Sequence, residues 1–109
     1  MNDEIRYKLL KLLEHDPEMS QRDLASSLGI SLGKTNYCLQ ALTEKGWVKV
    51  QNFKRNPNKR KYIYILTPKG IEEKANVTRH FLKRKLAEYD ELKTDIESLR
   101  KEVAKLKKM

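Results

Sequence analysis

Residues 20–46, SQRDLASSLGISLGKTNYCLQALTEKG, decide the fold of this chain. Ser20 stands three residues before Asp23, which is the spacing of a capping box, and the apolar residues that follow recur at helical spacing. Gly29 supplies the positive backbone φ angle that a tight turn needs, and Ser31 can cap the next helix. The stretch therefore predicts two helices joined by a short turn.

The second of these helices, predicted over residues 31–45, has two different faces. Four residues at helical spacing form the face that is expected to be buried: Thr35, Cys38, Leu39 and Leu42. The outward face then carries a polar set: Ser31, Gly33, Lys34, Asn36, Tyr37 and Gln40. Two helices packed through a glycine turn form a helix-turn-helix, whose second helix reads the major groove of DNA. Amide side chains can pair with adenine and lysine can reach guanine or phosphate, so we expect the outward set to contact DNA.

Beyond the second helix the pattern changes, because apolar and polar residues alternate in WVKVQNF at 47–53. Proline and asparagine interrupt the basic stretch KRNPNKRK at 54–61, and YIYIL at 62–66 resumes a β-branched and aromatic run. This pattern predicts a β-hairpin with a basic tip, which would act as a wing beside the reading helix. Its predicted DNA contacts are Lys54, Arg55, Asn58, Lys59, Arg60 and Lys61. We expect them to anchor phosphates, with entry of either arginine into a minor groove left open.

Two further helices flank this unit. Residues 4–15 place leucines at helical spacing, with Asp3 as the predicted N-cap. Thr67 and Pro68 have the pattern of an N-cap and a first helical position, and no proline or glycine follows Gly70. A single long helix of about 40 residues is predicted there. The aromatic side chains of the hairpin are expected to take part in hairpin and core packing rather than to stack on bases: Trp47, Tyr62 and Tyr64.

The long helix carries a heptad pattern over residues 82–106, with Lys85 as its one polar interruption. The predicted dimerisation residues are Leu82, Tyr89, Leu92, Ile96, Leu99, Val103 and Leu106. The g positions Glu88, Asp95 and Glu102 are acidic, and the e positions Lys93, Arg100 and Lys107 are basic. In a parallel pair each g residue meets the e residue of the partner's next heptad, whereas an antiparallel pair opposes like charges. We expect a parallel homodimer, with a helix folded back on its own domain as the alternative.

Composition narrows the class of protein. The 109 residues have room for one modest domain plus an extension, predicted as a DNA-binding domain over 1–70 and a helix over 71–109. The formal charge of +9 favours a polyanionic partner, and residues 45–71 contain no acidic residue. The expected fold class is mainly α with a small β-hairpin (α+β): a winged helix-turn-helix domain followed by a long C-terminal coiled-coil helix.

The residue inventory argues against several chemistries. Cys38 is the only cysteine and the chain has two histidines, so no disulfide framework and no metal site are expected. Neither a nucleophile beside a base nor a phosphate-binding glycine loop is visible, so we expect no enzyme and no cofactor. The charged amino terminus predicts a cytoplasmic protein with no membrane partner. Cys38 falls on the inner face of its helix, which favours a structural role over redox sensing.

Two stretches, SQRDLASSLGISLGKTNYCLQALTEKGWVKV at 20–50 and YILTPKGIEEKA at 64–75, resemble the MarR family of bacterial winged-helix transcriptional regulators. The portion SLGKTNYCLQALTEKGWVKVQNF at 31–53 is similar to the short members associated with exopolysaccharide (EPS) gene clusters. The resemblance implies a cytoplasmic dimer that binds operator-like DNA through residues 31–40 and 54–61. Typical members are longer, and their terminal helices also shape an effector pocket, so a small-molecule effector is left open.

Two functions from different classes remain open. The first is a transcriptional regulator that binds specific double-stranded DNA, for which a parallel dimer would suit two half-sites about one helical turn apart. The second is an adaptor that uses the winged domain and the coiled coil to bind another protein without reading DNA. RNA is disfavoured, because the major groove of an A-form helix is too narrow for a reading helix.

Overall fold

The computed structural model describes residues 2–56 and 59–108, and it describes side-chain surroundings outside residues 53–61. The elements in chain order are α1 (Asp3–His15), α2 (Gln21–Leu28), α3 (Leu32–Glu44), β1 (Val48–Asn56), β2 (Lys59–Leu66) and α4 (Pro68–Lys107). The two strands form one antiparallel hairpin. The predicted fold class is confirmed: three short helices and a hairpin, which we call the head, precede one long helix.

The starts of α1 and α2 show how short polar side chains begin these helices. The predicted cap of α1 is wrong by one residue, because Asn2 and not Asp3 accepts the hydrogen bond from the backbone N–H of Ile5, at 2.8 Å. Asp3 instead lies in the first turn, where its charge is favourable beside the helix dipole. The predicted capping box of α2 is confirmed. The N–H of Asp23 donates to Ser20 Oγ at 3.0 Å, and the N–H of Ser20 donates to Asp23 Oδ2 at 3.3 Å.

The turn between α2 and α3 depends on a glycine and a serine. Gly29 has a φ of 68°, in the left-handed region that side chains rarely adopt. The N–H of Ile30 then donates back to the carbonyl of Ala25 at 3.1 Å, which closes the end of α2. Ser31 caps α3 by accepting from the N–H of Lys34 at 3.1 Å. This is the predicted helix-turn-helix geometry.

The core lies where α1, α2 and α3 meet the base of the hairpin. The predicted inner face of α3 is buried at all four positions. The core residues are Leu9, Leu10, Leu13, Leu24, Cys38, Leu39, Leu42, Trp47, Val48, Tyr64 and Val77. Thr35 is the buried polar residue in this region, and its hydroxyl donates to the carbonyl of Ser31 at 2.9 Å. The buried hydroxyl therefore has a partner, as a polar group removed from water requires.

The hairpin extends further towards its tip than the sequence pattern predicts. The stretch 54–61 was expected to break the strands, but β1 runs to Asn56 and β2 begins at Lys59. The register pairs Val48 with Leu66 at the base. Cationic residues do not end a strand, because the ladder is built from backbone groups that every residue except proline supplies in full. A longer wing results, with a shift of the pairing register between Lys54 and Asn56.

The junction between the hairpin and α4 is made by Thr67. Its hydroxyl donates to the carbonyl of Gly46 at 2.6 Å and accepts from the N–H of Gly70 at 3.0 Å, so Thr67 caps α4 as predicted. Its own N–H donates to the carbonyl of Trp47 at 3.0 Å. Gly70 passes close against that residue, because an added Cβ would overlap the carbonyl oxygen of Trp47 and lie 2.9 Å from its carbonyl carbon.

The first part of α4 packs antiparallel to α1. Lys74 Nζ lies 3.2 Å from Glu14 Oε2, and further along, the rings of Phe81 and Tyr7 stack with centroids 5.1 Å apart. Val77 is buried between these two contacts. Helix α4 therefore contacts the head as far as Phe81, beyond residue 70 where the predicted domain boundary lies.

The amino-terminal end of α1 also meets α4 electrostatically. The pKa of Glu4 is lowered chiefly by a hydrogen bond from Lys8, and Lys85 and Arg84 lower it further by their charge. From Leu82 to Lys108 every described side chain is exposed. The far part of α4 is therefore an unpacked rod.

We expect Gly70→Ala to lower the free energy of unfolding by about 2 kcal/mol or more, the range that overpacking costs. The added methyl group would have to displace the Trp47 carbonyl. Urea denaturation at one protein concentration measures the change.

Gly33→Ala is the matched control, because an added Cβ at Gly33 meets nothing within 4 Å. It should leave the stability unchanged or raise it by up to about 1 kcal/mol. Equal losses in the two variants would contradict the close contact.

Candidate nucleic-acid interface

The outer face of α3 is a continuous exposed surface. The structure places all six predicted recognition residues on it: Ser31, Gly33, Lys34, Asn36, Tyr37 and Gln40. Asn36 and Gln40 lie one helical turn apart and thus on the same side. The opposite face of α3 is fully buried in the core. A helix held this firmly on one side presents its other side to a ligand without having to move.

The start of α3 is suited to a close approach by an anion. Ser31 and Gly33 are exposed at the amino-terminal end of the helix, where the helix dipole is positive. Apart from its chain neighbours and the backbone of its own helix, a Cβ added at Gly33 would meet no atom within 4 Å, so the packing of this chain does not require a glycine there. The absent side chain instead leaves the backbone open to a bulky partner.

Gln21, at the start of α2, orients Asn36 and was missed by the sequence analysis. Its Nε2 donates to the hydroxyl of Tyr64 at 2.7 Å and to Oδ1 of Asn36 at 3.4 Å. The pair of bonds joins α2, α3 and β2 at one point, and it turns the Asn36 amide in a defined direction. No sequence signal links positions 21, 36 and 64, since only the tertiary fold brings them together.

A groove of about 340 Å³ separates α3 from the hairpin. Its walls include Asn36, Gln40, Val50 and Tyr62. Trp47 and Tyr64 are buried in the core, whereas Tyr62 is 52% exposed and lies on the hairpin outside the core. Tyr62 and Tyr64 share one strand face, but Tyr62 lies two residues further from the hairpin base, beyond the reach of the core.

The wing carries the densest positive charge of the sequence. The backbone register pairs Lys54 on β1 with Arg60 on β2, so cationic positions face each other across the ladder. The predicted wing contacts Lys54, Arg55, Lys59, Arg60 and Lys61 have side chains outside the described residues, and Asn58 lies outside them altogether. Their contact with DNA stays a prediction.

Other predicted features have clear places in the structure. Cys38 is buried in the core, where an oxidant does not reach a thiol without opening the head. Within residues 2–56 and 59–108, no group of three or more His, Cys, Asp or Glu side chains is arranged to hold a metal ion. None of the described helices combines the length with the apolar character that crossing a bilayer requires.

A second exposed surface follows the far part of α4. All seven predicted dimerisation residues are exposed, from Ile96 at 41% to Leu106 at 65%. Leu86 and Ile71 are also exposed apolar residues on α4, and the predicted seam does not include them. Large contiguous apolar surfaces on a soluble protein usually mark an interaction site.

Comparison with known proteins agrees with this architecture. A family model described as winged helix-turn-helix DNA-binding matches residues 2–49. No curated protein matches the chain in sequence. The head thus has a winged helix-turn-helix fold, in which the hairpin is the wing.

Solved structures, among them that of the transcriptional regulator PcaV, share the fold. PcaV from Streptomyces coelicolor aligns with a TM-score of 0.64 at 18% identity, over 96% of this chain and 79% of that chain. FabT from Streptococcus pneumoniae, solved in complex with DNA, aligns with a TM-score of 0.58 at 16% identity, over 81% and 59%. MarR from Staphylococcus aureus, solved with salicylate and kanamycin, aligns with a TM-score of 0.56 at 21% identity. That alignment covers 75% of this chain but only 53% of the MarR chain, about half its length.

We expect Tyr64→Phe and Gln21→Ala each to lower the free energy of unfolding by about 1 kcal/mol, the usual net value of one hydrogen bond. Because both variants remove the same bond of 2.7 Å, the double variant should lose clearly less than the sum. Urea denaturation of the four proteins measures this coupling.

Gln40→Ala serves as the control, since Gln40 is an exposed glutamine on α3. Its effect should stay within about 0.5 kcal/mol, as for most surface substitutions. Strictly additive losses at Gln21 and Tyr64 would contradict the bridge between α2 and the wing.

Proposed function

We propose that this protein is a transcriptional regulator that binds specific double-stranded DNA. The observation that carries the proposal is the division of α3 into a fully buried face and a polar face that is exposed at all six predicted positions. That is the arrangement by which a recognition helix enters a major groove. The family match over residues 2–49 and the DNA complex of FabT support the same function.

Each part of the interface has a different role in this proposal. Asn36 and Gln40 read base edges, while Lys34 contacts a guanine or a phosphate. Gln21 acts as a positioning residue, because it orients the amide of Asn36. The basic wing, residues 54–61, holds flanking phosphates or enters the minor groove. Tyr62 and Val50 line the groove between α3 and the wing, where they offer apolar contact to a sugar or a thymine methyl group.

The regulator acts as a parallel homodimer through α4. The seven exposed seam residues form one stripe, which a second copy can cover with an identical stripe. Acidic g and basic e positions attract each other only in the parallel alignment. Exposed ion pairs of this kind contribute about 0.5 kcal/mol or less each, so the apolar seam supplies the affinity and the charges select the alignment. Two heads related by a two-fold axis then suit half-sites about one helical turn apart.

The cellular role follows from the resemblance to the short EPS-associated regulators. The similarity over residues 31–53 supports a cytoplasmic regulator whose target DNA lies beside exopolysaccharide genes. Duplexes selected by the protein from a random pool identify the preferred sequence, which can then be sought upstream of such genes. A preferred sequence absent from those regions would contradict the EPS role and leave specific DNA binding intact.

We expect the protein to bind its selected duplex about a thousandfold or more tightly than a scrambled duplex, as specific DNA-binding proteins do. Asn36→Ala should weaken binding to the selected duplex by about ten- to a hundredfold, the value of one base contact, and leave the scrambled complex nearly unchanged. Fluorescence anisotropy at several salt concentrations measures both complexes.

Two controls accompany this titration. Asn76→Ala removes an exposed asparagine on α4, far along the chain from α3, and should change neither complex. Lys34→Ala should lower the salt dependence of both complexes by about one unit of log–log slope. Equal affinity for the two duplexes would contradict sequence-specific reading. No binding even at low salt would overturn the DNA function and favour the protein adaptor.

Two variants test the dimer: one places a charge on the seam, and its control places the same charge outside the seam. We expect Leu99→Lys to raise the dissociation constant of the dimer by about a hundredfold or more, because it removes a seam leucine and opposes two cations. Ser98→Lys adds the same charge at the neighbouring exposed position, outside the seam, and should have little effect. Sedimentation equilibrium measures both. A wild-type monomer at micromolar concentration would overturn the proposed dimer.

A further inference from the structure

We infer that the contact between two copies continues along α4 past the coiled-coil segment to Ile71, so that the dimer seam begins at the heads themselves. This inference rests on the proposed parallel dimer, and it extends the contact between the copies from the stripe at 82–106 to residue 71. The evidence is the heptad register of α4, the face that the head leaves free, and a groove at the junction.

The heptad register continues towards the head without a break. Stepping back from the a position Leu82, the next seam positions are Thr78, Ala75 and Ile71. All three are exposed, and Ile71 is 57% exposed although it is a large apolar residue directly beside the core. The head therefore leaves this part of the register uncovered.

A different face of α4 packs on the head. The contacts with α1 and the hairpin base are made by Gly70, Lys74, Val77 and Phe81. At 3.6 residues per turn, these residues point about 100° away from the line through Ile71, Ala75 and Thr78. A second copy can thus cover the seam face while Gly70 and Val77 keep their contacts within the head.

A groove marks the place where the second helix would lie. It measures about 370 Å³, and its lining includes Ile71, Ala75 and Thr78 from the seam face. Ala75 and Thr78 are short, so the axes of two helices can approach closely at this level. A longer side chain at either position would hold the helices apart, as the larger residues do further along the seam.

Side chains beside the seam fit the same occupant. In the parallel alignment the g position Phe81 faces the e position Leu86 of the second copy, which gives the 55% exposed Leu86 an apolar neighbour. The g position Lys74 would face a second Arg79, but Glu14 Oε2 lies 3.2 Å from Lys74 Nζ. Glu14 and Arg79 also line the groove, so a carboxylate stands beside the two cations.

The inferred contact fixes how the two heads are placed. If the seam began only at Leu82, about three helical turns of α4 could splay and the heads could separate by variable distances. With the seam beginning at Ile71, each head is attached to the two-helix rod with no free segment between them. The distance between the two copies of α3 is then set by the rod.

The test uses disulfide formation between copies at matched positions. Thr78→Cys and Leu99→Cys both occupy d positions, one in the inferred extension and one in the coiled-coil segment. His80→Cys lies on the exposed far side of the helix and is the control. The wild-type chain is the blank, because its single thiol, Cys38, is buried. Each protein is equilibrated in a glutathione redox buffer, and the covalent dimer is measured on a non-reducing gel.

We expect Thr78→Cys and Leu99→Cys to form covalent dimers in fractions that agree within about twofold, because facing d positions lie within disulfide range. His80→Cys and the wild type should form at least tenfold less. The extension would be overturned, and the dimer would stand, if Leu99→Cys formed the covalent dimer while Thr78→Cys formed no more of it than His80→Cys does. Failure at both d positions would overturn the parallel dimer and the extension with it.

Discussion

The placement of α4 depends on the close approach of Gly70 to the carbonyl of Trp47. Any side chain at residue 70 would overlap that carbonyl, and Thr67 holds the same point through its bonds to Gly46 and Trp47. A helix of 40 residues is about 60 Å long, so a small change of angle at its start becomes a large displacement at its end. The direction of α4 relative to α3 is therefore determined within one turn of backbone.

In the proposed dimer, the same junction separates two roles of one helix, packing on the head and pairing with a second copy. Near the head, the face with Val77 and Phe81 completes the core and packs along α1. The neighbouring face of the same turns stays exposed and continues into the stripe of the far segment. A helix that used one face for both contacts could not pair with a second copy without leaving its own head. In the proposed dimer, head stability and assembly therefore use neighbouring faces of one helix.

Features with a local physical cause could be predicted from the sequence. The caps at Ser20, Ser31 and Thr67 and the turn at Gly29 depend on bonds that reach only a few residues along the chain. The buried and exposed faces of α3 follow from helical period alone. The exposed outer face of α3 could therefore be predicted to the residue.

Features that depend on residues far apart could not be predicted in the same way. Gln21 donates a hydrogen bond to Tyr64, 43 positions away in the sequence, and neither residue type predicts this bond. The exposure of Tyr62 depends on how far the core extends along β2, which alternation does not encode. The exposure of Ile71 could not be predicted either, because an apolar residue beside a core is normally expected to be buried in it. The deciding factor in each case is the relative position of elements.

The exposed far part of α4 makes the pairing of two copies depend on the concentration of the chain. Helices that lack tertiary packing are marginally stable in water, and every described side chain from Leu82 to Lys108 is exposed in the single chain. In the proposed dimer, pairing supplies the missing packing, so the far segment becomes ordered together with association. The population of paired heads then rises with the square of chain concentration while chains are scarce. A cell that makes twice as much of the protein gains up to four times as many paired heads, which makes abundance itself a signal.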